Sequence, residues 1–384
     1  MIELQGDPVR IEIDRADKLA SFYTLSPYVL PIAEGFAVLL RLVNRSDDAE
    51  EKVSRVHAGT SRDGTTFVLG DVPVLEPDDM MEDSGGCEDP TVAVADGQYV
   101  VFYSGYSRKT RASYMLRATG SKLERLTKHG VVFADPAYQN PKEAAVVSTS
   151  TGYRMFFEYA ADGRSKIGVA DAPAIDGPWT FAPTPLEARA DCFDAYHMSP
   201  ASTVRLNDGR VVLFYNGSTQ TIAWRIGWAI LNADATEILE RSDEPLISPQ
   251  DIEDGDTDIA FASSTVVVEP NVVWMYYSVS DRISNVGQCT CLARFPTPPA
   301  AKRSQSAPDR SALAARMRRT STRWCVLDLR NVRRARLTRV GNARVRHSVH
   351  SGNGVHARGL ESRRPLHANG NRDLRARRAR AAGR

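Results

Sequence analysis

Residues able to do acid–base chemistry gather just ahead of strand-like runs. Glu88 and Asp89 stand side by side before "PTVAVA", and Lys142-Glu143 precede "AAVVS". His197 lies in "DAYHMSPAS", and Asp256 and Asp258 lie in "GDTDIAFASS". Paired carboxyls suit glycosidic-bond cleavage: one protonated acid assists the leaving oxygen, and a second carboxylate activates water or attacks carbon. Crowding such groups raises one pKa, which keeps a neutral acid available near neutral pH. Carboxylates also accept sugar hydroxyls, and tyrosine faces cover a sugar ring. Each residue has a structural alternative: Glu88 could hold an arginine, His197 could be interior, the tyrosines could be packing, and Asp256 could be a turn residue.

The elements that must position these groups repeat. Five stretches align without gaps: "EGFAVLLRLV" from Glu34, "DGQYVVFYSG" from Asp96, "TGYRMFFEYA" from Thr151, "DGRVVLFYNG" from Asp208 and "EPNVVWMYYS" from Glu269. Each reads as a turn followed by a β-branched and aromatic strand. Most are preceded by another strand ("PTVAVA", "EAAVVS", "ASTVRL", "SSTVVV") and followed by a third ("KIGVADAP", "RIGWAIL", "QCTCLAR"). Long amphipathic helical periods are absent between them. Antiparallel sheets repeated five times, with nothing else to cover their faces, predict an all-β, five-bladed β-propeller over residues 1–298. A two-sheet sandwich is the alternative. "VRIEIDR" near the N-terminus is expected to complete the last blade and close the ring. First strands line a propeller's channel, so the acids at their starts converge on one axial pocket. The eighth aligned position, Arg41, Tyr103, Glu158, Tyr215 and Tyr276, is expected to add a second set of groups there.

Charge divides the chain. Residues 301–384 carry 23 Lys+Arg, 22 of them Arg, against 4 Asp+Glu, leaving 26 basic and 43 acidic residues in 1–300. The Arg-rich tail, 299–384, shows no sustained apolar period and is expected to be largely disordered. It could serve as an arm for nucleic acid or an anionic surface. Its abrupt start after Pro296 and near absence of Lys read better as an appendage, so nucleic acid is not an expected partner. Five cysteines, Cys87, Cys192, Cys289, Cys291 and Cys325, make no disulfide framework and no zinc-site spacing. No metal and no cofactor is expected. "MIELQGDPVRIEIDR" lacks an apolar signal core, and no apolar run approaches a membrane span of roughly 20 residues. A soluble cytoplasmic protein is the expectation.

"GCEDPTV", "NPKEAAVVS", "LFYNGSTQTIAWRIGWAILN" and "ERSDEPLISPQDIEDGDTDIAFASSTVVVEPNVVWMYYSVSD" resemble blocks of glycoside hydrolase family 130. "HAGTSRDGTTF" resembles that family's first-blade motif, and the similarity runs from about Ser21 to Leu292. The family contains β-mannoside phosphorylases and β-1,2-mannosidases on five-bladed propellers. The resemblance implies an inverting enzyme acting on mannosides, with Asp89 of the Glu-Asp-Pro motif as general acid. It places Arg41 and Lys142 in the sugar site and Tyr276 in a paired-tyrosine strand.

Departures from the phosphorylase pattern fall on groups that would hold phosphate. Thr91 follows Glu-Asp-Pro where phosphorylases have Arg; Tyr215-Asn216-Gly217 replaces Tyr-His-Gly; Glu158-Tyr159 replaces His-Arg. A phosphate dianion needs charge-assisted donors, so hydrolysis is expected over phosphorolysis. Glu143, Glu158, Asp194 and Asp258 are the candidates for the water-activating base. Phosphorolysis, a furanosidase-type propeller enzyme and a non-catalytic glycan-binding propeller are the alternatives.

Overall fold

The computed structural model describes residues 2–46, 48, 51–220, 223–249, 259–280 and 283–291. Asp256, Asp258, Cys325 and the Arg-rich tail lie outside these residues. The described residues fall within one compact unit, Met1–Ser321.

The strands are β1 (Ile2–Arg10), β2 (Glu12–Asp14), β3 (Tyr23–Ile32), β4 (Gly35–Val43), β5 (Ser54–Ser61), β6 (Thr66–Leu75), β7 (Gly86–Ala95), β8 (Gln98–Ser107), β9 (Ala112–Lys122) and β10 (Arg125–Phe133). They continue with β11 (Gln139–Thr149), β12 (Gly152–Ala161), β13 (Arg164–Ala172), β14 (Thr180–Ala182), β15 (His197–Arg205), β16 (Val211–Ser218), β17 (Arg225–Leu231) and β18 (Ile238–Arg241). The last blade adds β19 (Phe261–Glu269), β20 (Val272–Ser278) and β21 (Ser284–Cys291). Helical structure among the described residues is limited to 3₁₀ turns, at Asp17–Leu19 and at Glu51, and no helix is long and apolar enough to cross a membrane.

These strands form a five-bladed β-propeller. Blades one to four are antiparallel meanders, β3–β6, β7–β10, β11–β14 and β15–β18; blade five is β19-β20-β21 with β1 as its outer strand. Tight turns suit the hairpins. Asp96-Gly97 and Asp162-Gly163 both have positive φ at their two central positions, the geometry of the type I′ turn that matches strand twist. The segment "VRIEIDR" spans the seam. Val9 and Arg10 pair with β21 of blade five, while Glu12–Asp14 pair in parallel with β6 of blade one.

Neighbouring blades pack on both faces of each second strand, which explains why these strands carry central apolar runs rather than a strict alternation. Val211–Ser218 and Val272–Ser278 are buried at every position. Five apolar clusters fill the five gaps between blades. Leu39 and Tyr103 meet between blades one and two, Phe102 and Phe157 between two and three, and Phe156 and Leu213 between three and four. Phe214 with Met275 packs blade four on five, and Leu40 with Trp274 packs five on one. The fifth cluster closes the ring, so each blade has a neighbour packed against both faces of its inner strands.

Candidate active site

The innermost strand of each blade carries a β-bulge at the same place. In blades one to three, two residues face one on the second strand: Ser26-Pro27 opposite Leu40, Asp89-Pro90 opposite Tyr103, and Glu143-Ala144 opposite Phe157. Blades four and five bulge at Ala201 and Ser263. The first residue of each of the first three bulges is left-handed, with φ of 49° at Ser26, 48° at Asp89 and 45° at Glu143. That conformation is cheap for Gly and costs roughly 1–3 kcal/mol for other residues. Bulges re-aim side chains, and here three successive blades turn one polar residue each into a shared cluster.

The cluster is charge-dense. Arg41 on β4 reaches across to β7, donating from Nη1 to Asp89 Oδ1 at 3.0 Å and from Nη2 to Glu88 Oε1 at 2.6 Å. Its Nε donates to Ser54 Oγ at 3.1 Å, and Ser54 Oγ donates to Glu88 Oε1 at 3.1 Å. Ser26 Oγ donates to Asp89 Oδ1 at 2.9 Å, so two bulge residues touch directly. Lys142 Nζ lies 3.9 Å from Glu88 Oε2 and pairs in register with Glu158. Ser165 Oγ donates to Glu158 Oε1 at 2.8 Å. Glu143 has no hydrogen-bond partner among the described residues and is half-buried.

These surroundings pull the acids apart. Burial works to raise the Asp89 pKa, but Arg41 and Lys142 and the hydrogen bonds from Ser26 and Arg41 outweigh it and hold Asp89 below the ordinary carboxylate value. Burial raises Glu143 well above its ordinary value, repulsion from Asp89 and Glu158 adds to it, and Arg41 and Lys142 offset only part. Glu158 is raised by burial, partly relieved by Lys142, Ser165 and Ser199. Lys142 is raised because Glu88, Asp89 and Glu158 outweigh burial. Opposed shifts on neighbouring carboxyls are what separates an acid from a base.

Arg41, Glu88, Asp89, Lys142, Glu143 and Glu158 are thus brought together. His197 lies beside them: its Nδ1 accepts from Ser165 N at 3.0 Å, and its ring packs against Tyr196 and Trp224. Burial, with Arg164 adding, lowers its pKa, so the ring is neutral at physiological pH. Asp258 lies outside the described residues.

Four expected residues do not join the cluster. Tyr103, Tyr215 and Tyr276 are fully buried in the gaps between blades. Their hydroxyls donate to Asp83 Oδ2 (2.9 Å), Asp194 Oδ2 (2.7 Å) and Gly64 O (3.0 Å). The ungapped alignment misplaces them because strand register differs. Arg41, Ser104, Glu158, Asn216 and Tyr277 are the equivalent positions, opposite Leu25, Glu88, Lys142, Ser199 and Ala262. A one-residue slip sends a side chain to the other face. Asp194 is also fully buried, held by Arg189 Nη2 at 3.0 Å and Arg241 Nη2 at 2.7 Å besides Tyr215.

Asp83, which sequence reasoning missed, repeats the Asp194 arrangement in blade two. It stands five residues before Glu88, as Asp194 stands five before Ser199, and takes Tyr103 and Lys128 (2.5 Å) as partners. The signal was present: Tyr-Ser-Gly at 103–105 parallels Tyr-Asn-Gly at 215–217, each with an Asp about 20 residues earlier. A Cβ on Gly105 or Gly217 would fall 2.8 Å or 2.5 Å from the Cβ of Asp83 or Asp194. The small residue therefore makes room for the buried acid.

A family model described as beta-1,4-mannooligosaccharide phosphorylase matches residues 5–292. A 1,2-beta-oligomannan phosphorylase of Thermoanaerobacter sp. (strain X514) is 22% identical over 242 residues, covering 61% of this chain and 78% of that protein. Among solved structures, one described as a family of mannoside phosphorylases containing hydrolases that target beta-1,2 mannosidic linkages in Candida mannan has a TM-score of 0.63 at 21% identity, covering 77% of this chain and 97% of its own. A beta-1,2-mannobiose phosphorylase from Listeria innocua, in complex with beta-1,2-mannobiose, has a TM-score of 0.59 at 18% identity, covering 74% and 96%. At these identities the structural likeness is one of fold. With three quarters of its length matched by the family model, the chain belongs to glycoside hydrolase family 130, a family of mannoside-active enzymes.

Proposed function

We propose that the chain cleaves β-mannosides with inversion, with water as the acceptor. The observation that carries this reading is the way the site's cations are spent. Arg41 and Lys142 both face the site's own carboxyls, four acids against two bases. Two of the three positions at which this chain departs from the phosphorylase pattern are committed elsewhere. Thr91 Oγ1 donates to Ala144 O at 2.6 Å, and Asn216 bridges to the backbone of Ala262 through both amide atoms, at 3.1 and 2.7 Å. The third, Glu158, is an acid inside the cluster. Among the described residues a dianion there would meet net negative charge without a cationic cradle; water needs neither.

Asp89 is held below its ordinary value and Glu143 well above its own, so Glu143 is the better proton holder of the two. In this reading Glu143 resupplies the proton that Asp89, the acid expected from the motif, gives to the glycosidic oxygen as the bond to the anomeric carbon breaks. Glu158, oriented by Ser165, accepts the proton of the attacking water from the opposite face of the sugar, and its raised pKa makes it a better base. Arg41 and Glu88 hold the sugar hydroxyls and keep Asp89 in place.

Phosphorolysis is the second reading, favoured by the phosphorylase names of the similar proteins. NMR of the first product from β-1,2- and β-1,4-mannobiose, with and without millimolar phosphate, decides between them. Free mannose of inverted configuration at a phosphate-insensitive rate is expected. Mannose 1-phosphate as the main product would sink the hydrolytic reading.

A further inference from the structure

Between blades three and four lies a cavity of about 200 Å³. Its floor is apolar, formed by Leu186, Met198 and Ile167, all buried. Its walls carry Arg164, Tyr196 and Glu187. Arg164 stacks over the Tyr196 ring at 5.2 Å, yet among the described residues neither its guanidinium nor the Tyr196 hydroxyl has a hydrogen-bond partner. Glu187 is exposed, and its carboxylate likewise has none.

The donor set selects the ligand class. A planar fork of N–H donors, a phenol and an acceptor-only carboxylate around an apolar floor suit a polyol that offers vicinal hydroxyls above a C–H face. An anion is disfavoured, because Glu187 shares the cavity and the Lys166 ammonium beside it is paired with Asp162 at 2.8 Å. The volume falls below the roughly 300–1,000 Å³ of pockets for drug-sized ligands, so one sugar ring is the fitting scale.

The cavity adjoins the acid cluster through one residue. Ser165 lines it, while its hydroxyl donates to Glu158 and its backbone N–H to His197. We infer that this cavity is a further saccharide subsite, binding a hexosyl unit of the substrate chain beyond the two joined by the bond that is cleaved. The inference rests on the mannoside reading above and adds what that reading lacks, a reason for the enzyme to distinguish a trisaccharide from a disaccharide.

The test is calorimetric titration of the full chain, carrying Asp89→Asn to slow turnover, with mannobiose and mannotriose in both β-1,2 and β-1,4 linkage. For the accepted linkage mannotriose should bind about tenfold more tightly, a difference of about 1.4 kcal/mol. Arg164→Ala and Glu187→Gln should each bring the triose-to-biose affinity ratio toward one. Glu187→Gln alters an exposed side chain, so folding is not at issue. Equal affinities before these substitutions, or a ratio that survives both, would overturn the inference. So would competition by orthophosphate that Arg164→Ala abolishes, since the cavity would then hold an anion. Turnover of the unsubstituted chain on the same sugars reports the catalytic reading separately. A retained affinity ratio with no turnover would sink catalysis and leave the subsite standing.

Discussion

Asp89 and Glu143 occupy equivalent bulges on neighbouring blades, yet replacing each by its amide should move stability in opposite directions. Asp89 is 4% exposed and takes charge-assisted hydrogen bonds from Arg41 and Ser26. Asp89→Asn leaves Arg41 facing a neutral amide. Hydrogen bonds to charged groups contribute about 1.5–3 kcal/mol, and about 2–4 °C accompanies each kcal/mol in a domain of this size, so the melting temperature should fall roughly 3–12 °C. Glu143 is the reverse case, a half-buried acid repelled by Asp89 and Glu158. Removing such a functional-site conflict commonly gains about 0.5–2 kcal/mol, so Glu143→Gln should raise the melting temperature by roughly 1–8 °C. The pH dependence fixes the sign. The folded-state pKa of Glu143 is raised, so its stability contribution is complete below the ordinary value of 4.5 and is lost as pH rises through the folded value. The benefit of Glu143→Gln should therefore vanish near pH 4 and grow toward neutrality. The folded-state pKa of Asp89 is lowered, so its contribution is present above 3.8 and lost as pH falls through the folded value. The penalty of Asp89→Asn should shrink only in strong acid. Thermal melts of both variants from pH 4 to 8 decide the matter. Shifts of the same sign at pH 7, or a Glu143→Gln difference that ignores pH, would refute the charge assignment. Both variants should lose roughly 10²- to 10⁴-fold in turnover, the usual cost of a positioned proton-transfer group.

Asp194→Asn should destabilise the fold by about 3–5 kcal/mol, because it strands Arg189 and Arg241, while the folded fraction keeps its pH–rate profile; a displaced profile would return Asp194 to the chemistry. Tyr103→Phe should cost about 1–2 kcal/mol through Asp83 and leave KM unchanged, and a large rise in KM would contradict a purely structural phenol. A chain ending at Ala300 should melt and turn over as the full chain does, since the family match ends at residue 292; loss of soluble protein would make the tail part of the fold.

The repeat period was legible because every blade needs a second strand that is buried on both faces, and such runs are visible as Val, Phe and Tyr without alternation. The acids at strand starts were legible for a related reason: ionisable groups beside apolar strands need a destination, and the propeller supplies one. The tyrosines were misplaced because a strand's face has period two and the ungapped alignment is one residue out of step in their blades. Two-residue turns enter the second strands of blades one, two and three alike, but the aligned stretches begin at the second turn residue, Glu34 and Thr151, in blades one and three and at the first, Asp96, in blade two. No spacing rule resolves such a slip without the ladder. Asp194 was misjudged on residue type alone, since a carboxylate near a His reads as chemistry until two arginines are found around it.

Left-handed bulge residues at Ser26, Asp89 and Glu143, against Pro200 and Ser263 at the equivalent places in blades four and five, break the near-fivefold symmetry of the scaffold. A symmetric ring of five acids would be untenable: each added carboxylate would repel the rest, and burial would amplify the repulsion. The chain places a serine, an acid held below its ordinary pKa and an acid held above it on consecutive blades, and a proline and a serine on the other two. Arg41 and Lys142 lie beside the ionised member. The cavity lies where blade three meets blade four, and the aromatic group of Tyr196, His197, Trp224 and Phe261 belongs to blades four and five. The acid cluster thus occupies blades one to three and the cavity begins at blade three's other edge, the adjacency that the proposed cleavage and the proposed subsite both use.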